Sequence, residues 1–187
     1  MNLKTAIYPK FFNPERIGGT LKEVSSDILR VESRDVVGRW FHSPDEIDLF
    51  IWVDDTKRIV KQQLTFFGQV VEWNIIEGTK TGVIIEEELP PDSSGRPVKA
   101  SEVIRFDNKT QTQPLGLAMD LIQHVAALTI PEQKEIIANF FRGQKYSSND
   151  DAEFLRRYSH WVSVPVTWQG RLLEQVRLFF RWLINFF

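Results

Sequence analysis

Apolar side chains in this chain recur at every second position early and at every third or fourth position late, and that change of period limits what it can build. Over residues 46–54, Ile47, Leu49, Ile51 and Val53 alternate with Asp48, Phe50, Trp52 and Asp54, the repeat of a β-strand. One side of that strand is aliphatic. The other sets two large aromatics between two aspartates, so cover on both sides is expected at its middle. Asp54-Asp55-Thr56-Lys57 supplies turn chemistry, because aspartate hydrogen-bonds nearby backbone and tolerates unusual dihedrals. A second strand is expected over residues 58–67 and a third over 69–76, with Gly68 marking a bulge or bend. Glu77-Gly78-Thr79-Lys80-Thr81-Gly82 reads as a turn into Val83-Ile84-Ile85. It lacks the strand-loop-helix context and the Gly-Lys-Ser/Thr ending of a phosphate-binding loop. Connections this short favour an antiparallel meander, since parallel strands need a crossover of about a dozen residues.

The segment Leu89-Pro90-Pro91-Asp92-Ser93-Ser94-Gly95-Arg96-Pro97 cannot continue a sheet interior and reads as a loop. Residues 101–107 offer one more strand. From Pro114 the period changes. Residues 115–129 leave Gly116, Asp120, Gln123, His124 and Ala127 on one narrow stripe of an otherwise apolar helix. Thr129-Ile130-Pro131-Glu132 has capping-box spacing with proline in the first turn, and Ile136, Ile137, Phe140 and Phe141 follow on one face. Arg142 and Gly143 suit the C-terminal end. These elements predict an α+β protein. Its N-terminal antiparallel β-meander, a curled sheet or partial barrel of about five strands over residues 1–110, precedes a helical part over 111–187. An αα-hairpin and a C-terminal amphipathic helix make up that second part.

The last helix is expected from about Thr167 onward. At about 100° per residue, Arg171, Glu174, Gln175, Arg177, Arg181 and Asn185 share one arc. Leu172, Leu173, Val176, Phe179, Phe180, Leu183, Ile184, Phe186 and Phe187 share the other, with Leu178 and Trp182 leaning toward the polar side. Such a face must be covered, by the protein's own core, by a partner or second copy, or by a membrane surface.

Charge and composition exclude several classes. Lys and Arg number 23 against 25 Asp and Glu, a net charge of −2, so there is no field to attract a polyanion and nucleic-acid binding is not expected. Cysteine is absent, which removes thiol catalysis, disulfides and cysteine metal sites and suits a reducing compartment. With no signal-like apolar run near the N-terminus, a cytoplasmic location is expected. Hydrophobic residues make up 42% and aromatics 12%, enough to drive folding against chain entropy.

Chemistry-bearing motifs are sparse. His42 lies in the turn-like Trp40-Phe41-His42-Ser43-Pro44-Asp45, and His160 precedes Trp161. Asp120 and His124, four apart, could share a helical face, although such pairs are commonly solvated surface. No acidic cluster has calcium-loop spacing. No catalytic residue, metal or cofactor is therefore assigned. Trp40, Phe41, Phe50, Trp52, Phe66, Phe67 and Trp73 exceed what one sheet face needs, so either the sheet is covered twice or one patch docks a partner. The expected function is regulatory or adaptor binding of another protein, or of a second copy. Its surfaces would be Phe50 and Trp52 with Phe179, Phe180, Trp182, Leu183, Phe186 and Phe187, and attachment to a membrane surface through the last helix is an alternative.

A further alternative comes from residues 30–34. Arg30-Val31-Glu32-Ser33-Arg34 resembles the Arg-x-x-x-Arg segment before the first barrel strand of PilZ domains, small β-barrels that bind cyclic di-GMP. The resemblance implies a second-messenger site in which Arg30 and Arg34 hold the ligand. The family's second motif, Asp/Asn-x-Ser-x-x-Gly, has no suitably placed counterpart, and Asp92-Ser93-Ser94-Gly95 departs from it.

Overall fold

In the computed structural model, residues 12–24, 36–87 and 101–142 are described. Helix α1 (Pro14–Thr20) begins where the Asn13 side chain accepts a hydrogen bond from Arg16 N at 2.9 Å, with proline in the first turn. Seven strands follow: β1 (Lys22–Val24), β2 (Val36–Ser43), β3 (Ile47–Asp54), β4 (Ile59–Phe66), β5 (Gln69–Asn74), β6 (Gly78–Glu87) and β7 (Ser101–Phe106). They form one antiparallel sheet in sequence order, so each strand pairs with its chain neighbours. Among the described residues β1 does not pair with β7, and the meander stays open. Helices α2 (Thr112–Ile122) and α3 (Ile130–Phe141) complete an α+β fold.

The turns explain the register. Asp54 Oδ1 accepts from Thr56 N at 2.9 Å and Arg58 N at 3.0 Å, while Oδ2 takes the Arg58 guanidinium at 3.1 Å. This one carboxylate closes the β3–β4 hairpin. Asn74 Oδ1 accepts from Ile76 N and Glu77 N at 3.1 and 2.7 Å and closes β5–β6 in the same way. Between β4 and β5 only Phe67 and Gly68 intervene, at φ 49° and 73°, the left-handed pair that suits the twist of a two-residue hairpin. Of the bulge or bend expected at Gly68, the structure shows the bend, a two-residue hairpin turn.

Two opposite faces result. On the first, Phe41, Leu49, Leu64 and Val71 lie in register across β2 to β5 and join Ile51, Trp73, Leu121, Ile122, Ile136 and Phe140 in the main core. Polar side chains pin α3 to this face. Gln62 Nε2 donates to Ile136 O at 2.8 Å, and Asn139 Nδ2 donates to Gln62 Oε1 at 3.2 Å. Thr79 Oγ1 donates to Phe140 O at 2.9 Å. Arg39 joins Glu23 of β1 to Glu132 of α3.

Several expectations change. Residues 78–82 are strand, paired with β5 from Asn74 to Val70, rather than a turn, because cross-strand pairing outweighs the local turn preference of Gly, Thr and Lys. His42 belongs to β2, not to a turn. Helix α2 stops at Ile122 instead of continuing to Thr129. Beyond it the chain tightens through bonds from His124 N to Leu121 O and from Val125 N to Ile122 O, and Gln133 Nε2 takes the buried Val125 carbonyl at 3.0 Å. Phe141 is 70% exposed, whereas Phe140 is buried, since neighbouring helical positions point about 100° apart. The expected capping box of α3 is present, with Thr129 and Glu132 bonded reciprocally. The expected C-terminal helix, from about Thr167 to Phe187, lies outside the described residues.

Steric room distinguishes two glycines. A Cβ on Gly82 would sit 2.6 Å from the carbonyl oxygen of Arg105 on β7, whereas one on Gly68 meets nothing within 4 Å and suffers only from its φ. Gly82→Ala is therefore expected to cost about 1–3 kcal/mol by overpacking, and Gly68→Ala about 1–2 kcal/mol by left-handed strain. Urea unfolding checks both, and an unchanged midpoint for Gly82→Ala would refute the close β6–β7 approach.

Candidate functional site

The second face of the sheet is the more unusual. Strict alternation along β2 to β6 places Trp40, Phe50, Gln63, Glu72 and Lys80 opposite one another in one row, and Trp52, Lys61 and Asn74 in the next. Every residue of β4 is buried, so Lys61, Gln63 and Thr65 on this face are as enclosed as the apolar residues on the other. Glu72 and Asn74 of β5 are buried too.

An aromatic row forms one half of the face. The Trp40 and Phe50 rings are parallel within 3° at 5.8 Å between centroids, and Trp52 follows Phe50 at 5.9 Å and 26°. Asp48 fixes the row at its far end. Its Oδ1 accepts both the Trp40 indole N–H at 2.8 Å and, at 2.7 Å, a hydrogen bond with His42 Nδ1. The hydrogen bond to Asp48 raises the His42 pKa above its ordinary value. Burial opposes this rise, while the charges of Asp48 and Glu46 reinforce it.

Charged and amide groups form the other half. Lys61 Nζ lies 5.2 Å from the Trp52 ring centroid and 3.0 Å from Glu72 Oε2, and both side chains keep only 4% of their exposure. Asn74 Nδ2 donates to Glu72 Oε1 at 3.2 Å and to Glu77 Oε2 at 3.1 Å. The other oxygen of Glu72 differs. Oε2 is buried and faces the Lys61 ammonium at 3.0 Å.

Of the residues singled out by sequence, Phe50 and Trp52 lie side by side here. Phe50 is 4% exposed and Trp52 is partly exposed. Arg30, Arg34, Phe179, Phe180, Trp182, Leu183, Phe186 and Phe187 lie outside the described residues. Asp120 is on α2 but His124 follows the helix, and no hydrogen bond or ion pair joins them. Lys61, Gln63, Glu72 and Asn74 escaped the sequence reading, since charged and amide residues at alternate strand positions look like a solvated face. Among the described residues no three His, Asp or Glu side chains converge as a metal site, and no helix is long and apolar enough to cross a membrane. Comparison with known proteins finds no matching family model, curated protein or solved structure.

Two predictions follow from this geometry. Since the folded His42 pKa is raised, its contribution to stability is complete below the unfolded value near 6.5 and is lost as pH rises through the folded value. NMR titration of His42 should show a midpoint above about 6.5, and Asp48→Asn should lower it; an unmoved midpoint would remove Asp48 as the cause. Lys61→Met alone leaves a buried carboxylate unpaired and should cost about 3–5 kcal/mol, whereas Lys61→Met with Glu72→Leu should cost far less. Equal losses in the two variants would show that the pair does not act as a unit.

Proposed function

We propose that the protein is a binding protein that takes a small molecule on the second face of its sheet. The observation behind this reading is the buried Lys61–Glu72 ion pair, closed to 3.0 Å, beside an aromatic row. Aromatic walls with a few convergent polar groups are the usual composition of ligand sites. A buried ion pair adds little to stability relative to well-packed apolar side chains, and polar groups enclosed at such a cost are common at sites of recognition.

A second reading is recognition of another protein or of a second copy, as a regulatory or adaptor protein would require. It is favoured by Val37, 63% exposed, and Ile130, 60% exposed, which lie on β2 and α3 near the Arg39–Glu132 pair that joins those elements. Apolar side chains beside a charged rim are typical of interfaces.

A thermal-shift screen of small molecules tests the first reading, because a ligand of the native state raises the melting temperature by mass action. Hits should raise the melting temperature of the native protein, fail with the Lys61→Met/Glu72→Leu variant and move the indole N–H resonances of Trp40 and Trp52. Hits that stabilise both proteins equally would remove the second face as the site. Dilution that shifts Val37 and Ile130 resonances, with no such hit, would favour self-association.

A further inference from the structure

We infer that the second face of the sheet is the seat of the chain's own C-terminal amphipathic segment, residues 171–187, which lies outside the described residues. The inference does not depend on the ligand reading above, and each can fail without the other. It starts from burial that the described elements leave unaccounted for. Trp40, Phe50, Val70 and Ile104 are buried, and register puts all four on this face. None of them belongs to the main core, which gathers side chains of α1, α2 and α3 against the opposite face. Gln63, Thr65 and Glu72 between them are buried as well. An open antiparallel sheet leaves such a face to solvent unless another layer lies on it, and this sheet is open among the described residues.

The face dictates what can lie on it. Lys61 and Glu72 neutralise each other at 3.0 Å, and Asp48 is engaged by Trp40 and His42. Asn74 is engaged by Glu72, Glu77 and two backbone N–H groups of its turn. These polar groups ask little of a covering layer, and a charge brought against them would be desolvated without a partner. An apolar surface suits. Leu172, Val176, Phe179, Phe180 and Leu183 offer one free of charge, while Arg171, Arg177 and Arg181 fall on the opposite arc at about 100° per residue. Phenylalanine rings in that arc can meet Phe50 and Trp52 edge-on or offset.

Length and starting point select this segment. The row from Trp40 to Lys80 runs across β2 to β6, about 19 Å, and a helix over residues 171–187 spans about 25 Å. The chain leaves α3 beside that row, because Phe140 O accepts from Thr79 Oγ1, next to Lys80. Residues 143–170 then give more reach than rounding one edge of the sheet requires. The other stretches outside the described residues fit less well. Residues 25–35 link β1 to β2 at one edge and residues 88–100 link β6 to β7 at the other. The second of these holds Pro90, Pro91 and Pro97, which suit neither a helix interior nor a paired strand. Residues 1–11 contain Pro9 and would reach only about 16 Å as a helix.

NMR of the full chain tests this. Methyl protons of Val176 and Leu183, at the middle of the apolar arc, should show nuclear Overhauser contacts with ring protons of Phe50 and Trp52 within one molecule. Leu183→Asp should speed exchange of the Trp40 indole proton roughly 10–100-fold, whereas Arg181→Glu on the opposite arc should leave it unchanged. Should Leu183→Asp fail to fold, the contacts in the unaltered chain decide alone. Contacts that appear only between differently labelled chains in a mixed sample would assign the face to a second copy and overturn the inference. Contacts from residues 1–11 or 88–100 in that place would overturn it, as would ring protons contacted by nothing but the sheet itself. Equal exchange in the Leu183→Asp and native proteins would do the same. A ligand screen without hits, with the Val176 and Leu183 contacts present, would remove the ligand and keep the cover.

Discussion

Strand β4 is enclosed along its whole length, and most of this structure follows from that constraint. A strand covered on both faces has no solvated side to receive its polar residues, so each one must find a partner inside. Lys61 and Gln62 are neighbours in sequence and therefore point to opposite faces. Gln62 bonds the backbone of α3 and the amide of Asn139, which docks the helix. Lys61 pairs with Glu72 and organises the other face. Moving the register by one residue would exchange these roles and put a lysine under α3.

Around this strand, hydrogen-bonding side chains fix elements that apolar burial alone would leave free to slide. Burial is non-directional, and the core of Leu49, Leu64, Val71, Leu121, Ile136 and Phe140 would tolerate small displacements of α3. The bonds from Gln62, Thr79 and Gln133 are directional, and they set the position of the helix along the sheet and against the preceding turn. Arg39 does the same at the edge by gripping Glu23 and Glu132 together. Burial of Glu132 acts to raise its pKa, but the Thr129 bonds and Arg39 outweigh it, so the carboxylate is held below its ordinary value and stays charged as both helix cap and clamp.

The legible parts of the sequence were those in which local chemistry and tertiary packing agree. Alternation over residues 47–54 and the Asp54 turn placed one hairpin correctly, and Thr129 with Glu132 announced α3 through a cap that needs no distant partner. Strand β2 was harder to read. Its run Val36-Val37-Gly38-Arg39-Trp40-Phe41-His42-Ser43 has large side chains on both faces, so periodicity fades where both faces are buried. Helix α1 carried its signal in Asn13 and Pro14, but seven residues are too few for an apolar stripe to stand out. Residues 78–82 misled because glycine and threonine favour turns locally, while pairing with β5 decides the outcome. Phe50 and Trp52 stood out as aromatics on the less aliphatic side of a strand. Lys61 and Glu72 gave no such sign, for a charged residue at an alternate position reads the same whether that side meets water or another layer.

That ambiguity bears on what the second face is for. Asp48 and Asn74 are used fully by the fold, one anchoring Trp40 and His42 and the other closing a turn. Folding alone gives no comparable reason for an acid at position 72. A leucine or methionine there, with an apolar partner at position 61, would fill similar space with less desolvation. The ion pair is compatible with a role in fixing register, yet register is already set by the two-residue β4–β5 hairpin and by Gln62 beneath α3. What the pair adds is a carboxylate and an ammonium held inside the protein beside an aromatic row. The location of that pair was set by strand pairing, Lys61 lying beside Asn74 and Glu72 beside Gln63, rather than by any local motif.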